Sequence, residues 1–136
     1  MSKTVLYTSP YITVEYHEDA GLIHHTVHQP IADHFDILKE ALLIGTDVLE
    51  KNGLTKWLSD DRNNGPLPPQ AAQWGVDVWN KKTIDAGWKY WANVVPREIA
   101  AANSLTPLIE NLYEFGLHMR VFTTVEEALE WLNSVE

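Results

Sequence analysis

The sequence predicts one α/β domain whose sheet contains both parallel and antiparallel strands. Two observations carry this prediction: an alternating apolar pattern near the start, and after it strand-like and helix-like segments that take turns along the chain. Strands that alternate with helices pair in parallel through right-handed crossovers, whereas a hairpin pairs antiparallel. The expected order is β-β-α-β-α-β-α-β-α, in a single domain over residues 1–136.

The opening segments predict an antiparallel hairpin. YITVEYH (11–17) and LIHHTVHQ (22–29) both alternate between apolar and polar residues, which is typical of strands. The segment EDAG (18–21) between them supplies a turn with glycine. Residues 4–8 are a candidate for an additional leading strand.

The spacing of apolar residues then changes from the alternation of a strand to the period of a helix over ADHFDILKEALLIGTDVLEKNG (32–53). Asp33 is the expected N-cap of this helix. The predicted apolar stripe of this helix consists of Phe35, Leu38, Leu42, Gly45 and Leu49. LTKWLS (54–59) follows as a short strand. Pro68 or Pro69 suits the first turn of the next helix, because that position needs no backbone N–H.

The second half of the chain repeats the alternation. In chain order, the remaining predicted elements are a strand at 88–95, a short helix at 97–105, a helix at 106–116, a strand at 117–123 and a helix at 124–136. Thr106 is the expected N-cap of the helix at 106–116. Thr124 and Glu127 have the spacing of a capping box.

Composition narrows the classes of function. The formal net charge of −9 disfavours binding to nucleic acid or to anionic membrane surfaces. No apolar run approaches the roughly 20 residues of a membrane span, and the start of the chain lacks a signal-peptide pattern. The absence of cysteine excludes disulfides and thiol catalysis and fits a cytoplasmic location.

The pattern of elements resembles the STAS domain, the fold of SpoIIAA-type anti-sigma-factor antagonists, and most of all the SpoIIAA-like proteins of the STAS/Sec14 group. The resemblance is most specific in NLYEFGLHMRVFTTVEEALEWL (111–132) and GWKYWANVVP (87–96). It implies a non-enzymatic regulatory or ligand-binding module and, through the Sec14 comparison, a carrier of a small hydrophobic molecule. In the phospho-switched relatives a serine lies where the helix after the central strand begins, but no serine or threonine occurs here between Asn63 and Lys82.

The most suggestive polar stretch is the loop that follows the central strand. Its residues Asp60, Asp61, Arg62, Asn63 and Asn64 come at the carboxyl end of a parallel strand, where ligands bind in open α/β sheets. Two carboxylates could also bind Mg²⁺, or one could accept a proton. The alternative is a structural turn in which Arg62 neutralises the acidic pair.

Tryptophans surround this loop in the sequence. Trp57 precedes it, Trp74 and Trp79 lie on the following helix, and Trp88 and Trp91 belong to the next strand. These residues predict either an apolar pocket with the aspartates at its mouth or plain core packing.

The histidines predict no metal site. His24 and His28 share one face of a strand at a separation of roughly 13 Å, which is too far to hold one ion, whereas His24 and His25 point to opposite faces. A site would need His17 from across the hairpin or His34 from the helix.

The predicted function is therefore that of a non-enzymatic regulatory or ligand- or partner-binding protein without a phosphorylation switch, with no catalytic residue and no cofactor. Two alternatives stay open: a carrier or sensor of a small hydrophobic ligand, and an enzyme that uses Asp60 or Asp61 with a histidine. The partner is left open between an unknown protein, a small apolar ligand and a second copy of the chain.

Overall fold

A computed structural model describes residues 3–135 and contains one six-stranded sheet in the order β1-β2-β3-β4-β5-β6. The strands are β1 (Lys3–Thr8), β2 (Ile12–His17), β3 (Leu22–Val27), β4 (Lys56–Asp60), β5 (Tyr90–Val94) and β6 (His118–Phe122). β1, β2 and β3 pair antiparallel, and β3 to β6 pair parallel. The predicted α/β class and mixed sheet are confirmed, and the candidate leading strand is present as β1.

Helices occupy the connections between the parallel strands, and one further helix follows the last strand. They are α1 (Phe35–Lys51), α2 (Pro69–Trp74), a π-helical turn (Gly75–Asn80), α3 (Lys81–Asp85), α4 (Arg97–Ala102), α5 (Thr106–Glu114) and α6 (Val125–Ser134). The backbone passes from α2 through the π-helical turn into α3 in right-handed helical conformation.

Two predicted N-caps are wrong and one is confirmed. His34 rather than Asp33 precedes α1, and Leu105 rather than Thr106 precedes α5, in both cases without a side-chain cap. Thr124 does cap α6, since its hydroxyl oxygen accepts from the backbone N–H of Glu127 at 3.2 Å. A cap requires extended backbone just before the first helical turn, and Leu105 already has helical dihedral angles, so the helical turn begins before Thr106.

The sheet separates two apolar clusters. On one side, here called the α1 face, α1 packs on residues such as Val14, Ile23 and Trp57. On the other side, the α6 face, Ala128 and Leu132 of α6 pack on a smaller cluster that includes the strand residues Leu22, Leu58, Ala92 and Val94. Trp57, Leu58, Val94 and Val95 are buried, whereas Val121 and Phe122 of the edge strand β6 are half-buried.

Gly45 explains how α1 approaches the sheet so closely. A Cβ atom at this position would lie 2.5 Å from the ring carbon Cη2 of Trp57, well inside van der Waals contact. Gly45, which belongs to the predicted apolar stripe of α1, therefore leaves the space that the Trp57 side chain of β4 occupies. Trp57 also contacts the rings of Trp79 and Trp88, with centroids 5.1 and 5.9 Å away.

Within residues 3–135, no helix is both long enough and apolar enough to span a lipid bilayer.

Candidate ligand-binding site

A pocket of about 310 Å³ opens on the α1 face, near the carboxyl ends of β3, β4 and β5. This is the edge at which open α/β sheets bind ligands, and the volume lies at the small end of the range for small-molecule sites. Its apolar walls are formed by Leu38, Leu42, Leu67, Trp74, Trp79 and Trp91, with Leu105 and Leu108 at one side. Buried and half-buried polar side chains interrupt these walls at a few points.

The first polar feature is a hydrogen bond between His25 of β3 and Asp61, which directly follows β4. The His25 Nε2 atom lies 2.9 Å from Asp61 Oδ1. The indole N–H of Trp57 lies 3.0 Å from His25 Nδ1, and an indole nitrogen can only donate. His25 Nδ1 must therefore accept, so the proton of the neutral ring is on Nε2 and is donated to Asp61.

A buried serine extends this network. Trp91 Nε1 donates to Ser59 Oγ at 2.9 Å, and the same oxygen lies 3.5 Å from His25 Nδ1. Ser59 is fully buried and Trp91 nearly so. The imidazole is thus held between fixed partners on both nitrogens, which fixes the position of the Asp61 carboxylate at the pocket.

The second polar feature is a set of three unpaired amide oxygens. Asn64 Oδ1, Asn80 Oδ1 and Asn93 Oδ1 are buried and have no hydrogen-bond partner within the described part of the chain, and all three residues line this pocket. They come from three separate elements: the loop after β4, the π-helical turn and β5. A buried acceptor without a partner costs roughly 1–3 kcal/mol, so three around one cavity indicate that something else satisfies them.

The π-helical turn contributes to the pocket directly. Gly75, Val76, Trp79 and Asn80 all line it, and the turn spans Gly75–Asn80. Isolated π-helical turns inside α-helices are frequent at functional sites, because the wider turn changes which side chains share a face. Trp79 is held in place by a buried hydrogen bond, in which its indole N–H donates to Thr46 Oγ1 at 3.1 Å.

The structure brings together only some of the predicted site residues. Asp61, Asn64, Trp74 and Trp79 line the pocket. Trp57 lies beneath it and contributes through its hydrogen bond to His25.

Asp60, Arg62 and Asn63 are not among the residues that line the pocket. Asp60 is the last residue of β4 and follows Leu58 on the α6 face, so its side chain points away from Asp61. Arg62 forms a two-pronged pair with it, with Nε 2.9 Å from Oδ1 and Nη2 2.7 Å from Oδ2. Asn63 is exposed.

This pairing sets the ionisation of Asp60. Burial alone would raise the pKa of this carboxyl, but the hydrogen bonds from Arg62 and its positive charge outweigh burial and lower the pKa below the ordinary value. The alternative interpretation, in which Arg62 neutralises an acidic residue at a structural turn, therefore describes Asp60 well.

His25, Asn80 and Asn93 are polar pocket residues that the sequence does not predict as part of the site. A signal for two of them exists. His25 alternates with Ile23 and Val27 on a core-facing side of β3, and Asn93 interrupts the apolar segment WKYWANVV. A polar residue at a core-facing strand position needs a partner, and that need marks it for attention.

A second polar cluster lies on the α6 face, at the hairpin. His24 Nδ1 is 3.3 Å from His17 Nε2, and Glu15 Oε1 is 3.7 Å from His17 Nε2 and 3.9 Å from His24 Nδ1. Burial lowers the pKa of His24 to about 4, with a smaller contribution from neighbouring His17, and burial also lowers the pKa of His17.

Comparisons of the chain with protein-family models, with curated proteins and with solved structures found no significant match. The resemblance to the STAS domain thus rests on the order of elements and the two quoted segments alone.

Proposed function

We propose that this chain is a binding domain that holds a small molecule in the pocket beside Asp61, and that it is not an enzyme. The three unpaired oxygens of Asn64, Asn80 and Asn93 are the observation that carries this proposal. Unpaired buried acceptors lower the stability of a fold, and proteins retain such groups at functional sites, where a ligand can donate hydrogen bonds to them.

The polar groups favour a particular ligand chemistry. Amide oxygens accept hydrogen bonds, so the ligand should carry N–H or O–H donors. Asp61 adds a carboxylate whose Oδ1 is taken by His25, and its side chain remains 21% exposed, which leaves Oδ2 to receive a further donor. The Asp61 carboxylate and the net charge of −9 together favour a cationic ligand over an anionic one. The tryptophan and leucine walls require the rest of the ligand to be apolar.

Binding is favoured over catalysis by how the reactive groups are engaged. His25 uses both ring nitrogens within the protein, and Ser59 is buried behind it with its oxygen bonded to Trp91. Among the described residues that line the pocket, no hydroxyl, thiol or amine nucleophile lies next to a free base.

The His25–Asp61 contact does support one second candidate, an enzyme in which Asp61 is a general base oriented by His25. Turnover of a compound that binds in the pocket, lost in Asp61→Asn while binding of an uncharged analogue persists, would favour this candidate over the binding domain.

The family-level part of the proposal is a STAS-like module without a phosphorylation switch, located in the cytoplasm. The element order supports the resemblance. Along the sequence, the serine and threonine that flank the loop and its helix are Ser59 and Thr83, and both are fully buried. The Thr83 and Thr46 hydroxyl oxygens lie 2.8 Å apart in a hydrogen bond. Binding in the pocket would then not depend on phosphorylation of this segment.

Native mass spectrometry with 2-phenylethylamine as the probe tests the binding function. The probe combines an apolar ring with a cationic donor group. We expect a one-to-one complex with the wild-type protein and with Asn63→Leu, and a weaker complex with Asn93→Leu. Equal complex formation by all three proteins would show that the pocket is not the site, and no complex with any of them would contradict the proposed ligand chemistry.

A further inference from the structure

Three side chains of the hairpin meet on the α6 face of the sheet, away from the pocket. Glu15 and His17 extend from β2, and His24 extends from β3. Glu15 and His24 are direct partners in the antiparallel register, and His17 pairs with the neighbouring Leu22. Because i and i+2 residues of a strand share a face, the register itself brings the three side chains together.

The distances between the ligating atoms match those around a tetrahedral cation. The separations are 3.3 Å between the two histidine nitrogens, and 3.7 and 3.9 Å from Glu15 Oε1 to His17 Nε2 and His24 Nδ1. Ligand bonds of about 2.0–2.1 Å at tetrahedral angles place ligand atoms roughly 3.3–3.4 Å apart. Closure around an ion would need movements of a few tenths of an ångström.

The surroundings orient these side chains. Thr26 Oγ1 lies 3.3 Å from His24 Nε2, the ring nitrogen that faces away from the cluster. The second oxygen of Glu15 pairs with Lys3 Nζ at 3.4 Å, which leaves Oε1 toward the histidines. Such outer contacts are typical of metal sites, where they fix the ring and carboxylate orientation.

The solvent exposure of the three side chains suits a metal site that keeps one coordination position open. The side chains of Glu15, His17 and His24 are 17%, 17% and 11% exposed, so the cluster is mostly buried yet still reached by solvent. Water could then occupy a fourth coordination position, as in zinc sites that keep three protein ligands.

We propose that Glu15, His17 and His24 form a binding site for a late first-row divalent cation such as Zn²⁺. Two imidazoles and one carboxylate form a donor set that suits zinc and its neighbours better than magnesium or calcium. The expected absence of a metal site rests on the spacing of histidines along one strand. A site is expected to need His17 from the facing strand, and in the structure His17 does lie next to His24.

The site is tested by zinc titration of untagged protein. Bound metal is first removed with a chelator, and the chelator is then removed from the sample. A competing zinc indicator reports affinity, and elemental analysis reports stoichiometry. We expect one high-affinity Zn²⁺ per chain. Glu15→Gln and His17→Gln should each weaken binding by at least about tenfold, whereas His118→Gln, which alters an exposed histidine on β6, should leave affinity unchanged.

Circular dichroism and thermal unfolding of each variant separate lost ligation from lost folding. Glu15→Gln preserves side-chain shape, so weak zinc binding by a folded Glu15→Gln protein would support the site. Substitution of Co²⁺ should give the intense visible absorption of a tetrahedral ion in the wild-type protein. Absence of stoichiometric zinc in the wild type, or equal weakening in the His118→Gln control, would overturn the proposal.

Discussion

His25 and Asp61 are joined by a hydrogen bond of 2.9 Å that links β3 to the loop after β4, and its direction is fixed. Because the indole N–H of Trp57 occupies His25 Nδ1, the imidazole can only donate to the carboxylate in this arrangement. Asp61 is therefore held at the pocket as an acceptor, and the hydrogen bonds connect it through His25 to the buried Trp57.

Asp61→Asn should separate charge from shape. The asparagine oxygen can still accept from His25 Nε2, so we expect the free energy of unfolding to change by less than about 1 kcal/mol. Affinity for 2-phenylethylamine should fall by about tenfold or more, because the carboxylate charge is lost. Urea unfolding and calorimetric titration measure the two effects.

The matched variant Asp61→Leu removes the acceptor as well. It should destabilise the protein by roughly 1–3 kcal/mol, since the His25 N–H then has no partner. If Asp61→Asn and Asp61→Leu were equally destabilised, the hydrogen bond that His25 donates to Asp61 would not account for the loss in the free energy of unfolding.

Asn93→Leu should stabilise the unliganded protein. The substitution replaces a buried, unpaired amide oxygen with an apolar side chain of similar size, and we expect a gain of about 1 kcal/mol in the free energy of unfolding. Binding of the probe should weaken at the same time. The control Asn63→Leu, on the exposed part of the loop, should change neither property.

Denaturant unfolding of the two leucine variants beside the wild type measures this difference. Destabilisation by Asn93→Leu would mean that the amide has a stabilising partner in the unliganded protein, and its oxygen would then no longer indicate a bound ligand.

Gly45→Ala should destabilise the fold although alanine favours helices. The added methyl would meet the Trp57 ring at 2.5 Å, and overpacking of this kind costs typically 1–3 kcal/mol, which exceeds the gain of about 1 kcal/mol in helix propensity. Gly75→Ala is the control, because a Cβ there meets nothing within 4 Å. Thermal unfolding should show a lower midpoint for the first variant and an unchanged or higher one for the second.

The Asp60–Arg62 pair should make stability depend on pH in the acid range. The pKa of Asp60 in the folded protein is lowered, so its contribution to stability is complete above the unfolded value near 3.8 and is lost as pH falls through the folded value. Arg62→Gln should reduce the free energy of unfolding by about 1 kcal/mol near pH 7, a modest effect because the Arg62 side chain is 44% exposed.

The difference between wild type and Arg62→Gln should shrink as the pH falls from the unfolded value near 3.8, and it should vanish only below the lowered folded value, where Asp60 is protonated in the folded wild-type protein as well. Urea unfolding at a series of pH values measures it. A difference that stays constant down to pH 2 would mean that the arginine stabilises the loop by packing rather than by its charge.

Local pattern accounts for most of the fold. Alternation predicts β2 and β3, the 3.6-residue period predicts α1 with Gly45 in its stripe, and Thr124 with Glu127 predicts the start of α6. These features are predictable because each depends on residues close together in the chain. The N-caps of α1 and α5 are misplaced by one residue, since backbone geometry rather than side-chain type selects them.

The site is less predictable because its parts are distant in sequence. His25 and Asp61 meet only through the parallel pairing of β3 with β4, which places His25 beside Ser59. Asp60 and Asp61 look like one acidic pair, yet β4 continues through Asp60 and adjacent strand residues face opposite sides. The π-helical turn at Gly75–Asn80 leaves no mark in the periodicity, so the position of Asn80 could not be foreseen.

The most direct test of the binding site observes the indole N–H signals of the six tryptophans in ¹H–¹⁵N spectra while a ligand is added. The probes are 2-phenylethylamine and phenylacetate, which share an apolar ring and differ in the sign of their charge. We predict that the amine shifts the signals of Trp74, Trp79 and Trp91, leaves that of Trp131 on the α6 face unchanged, and binds about tenfold or more tightly than the acid. Equal affinity for the two probes, or shifts that include Trp131 as strongly as Trp79, would contradict a cation-selective pocket beside Asp61.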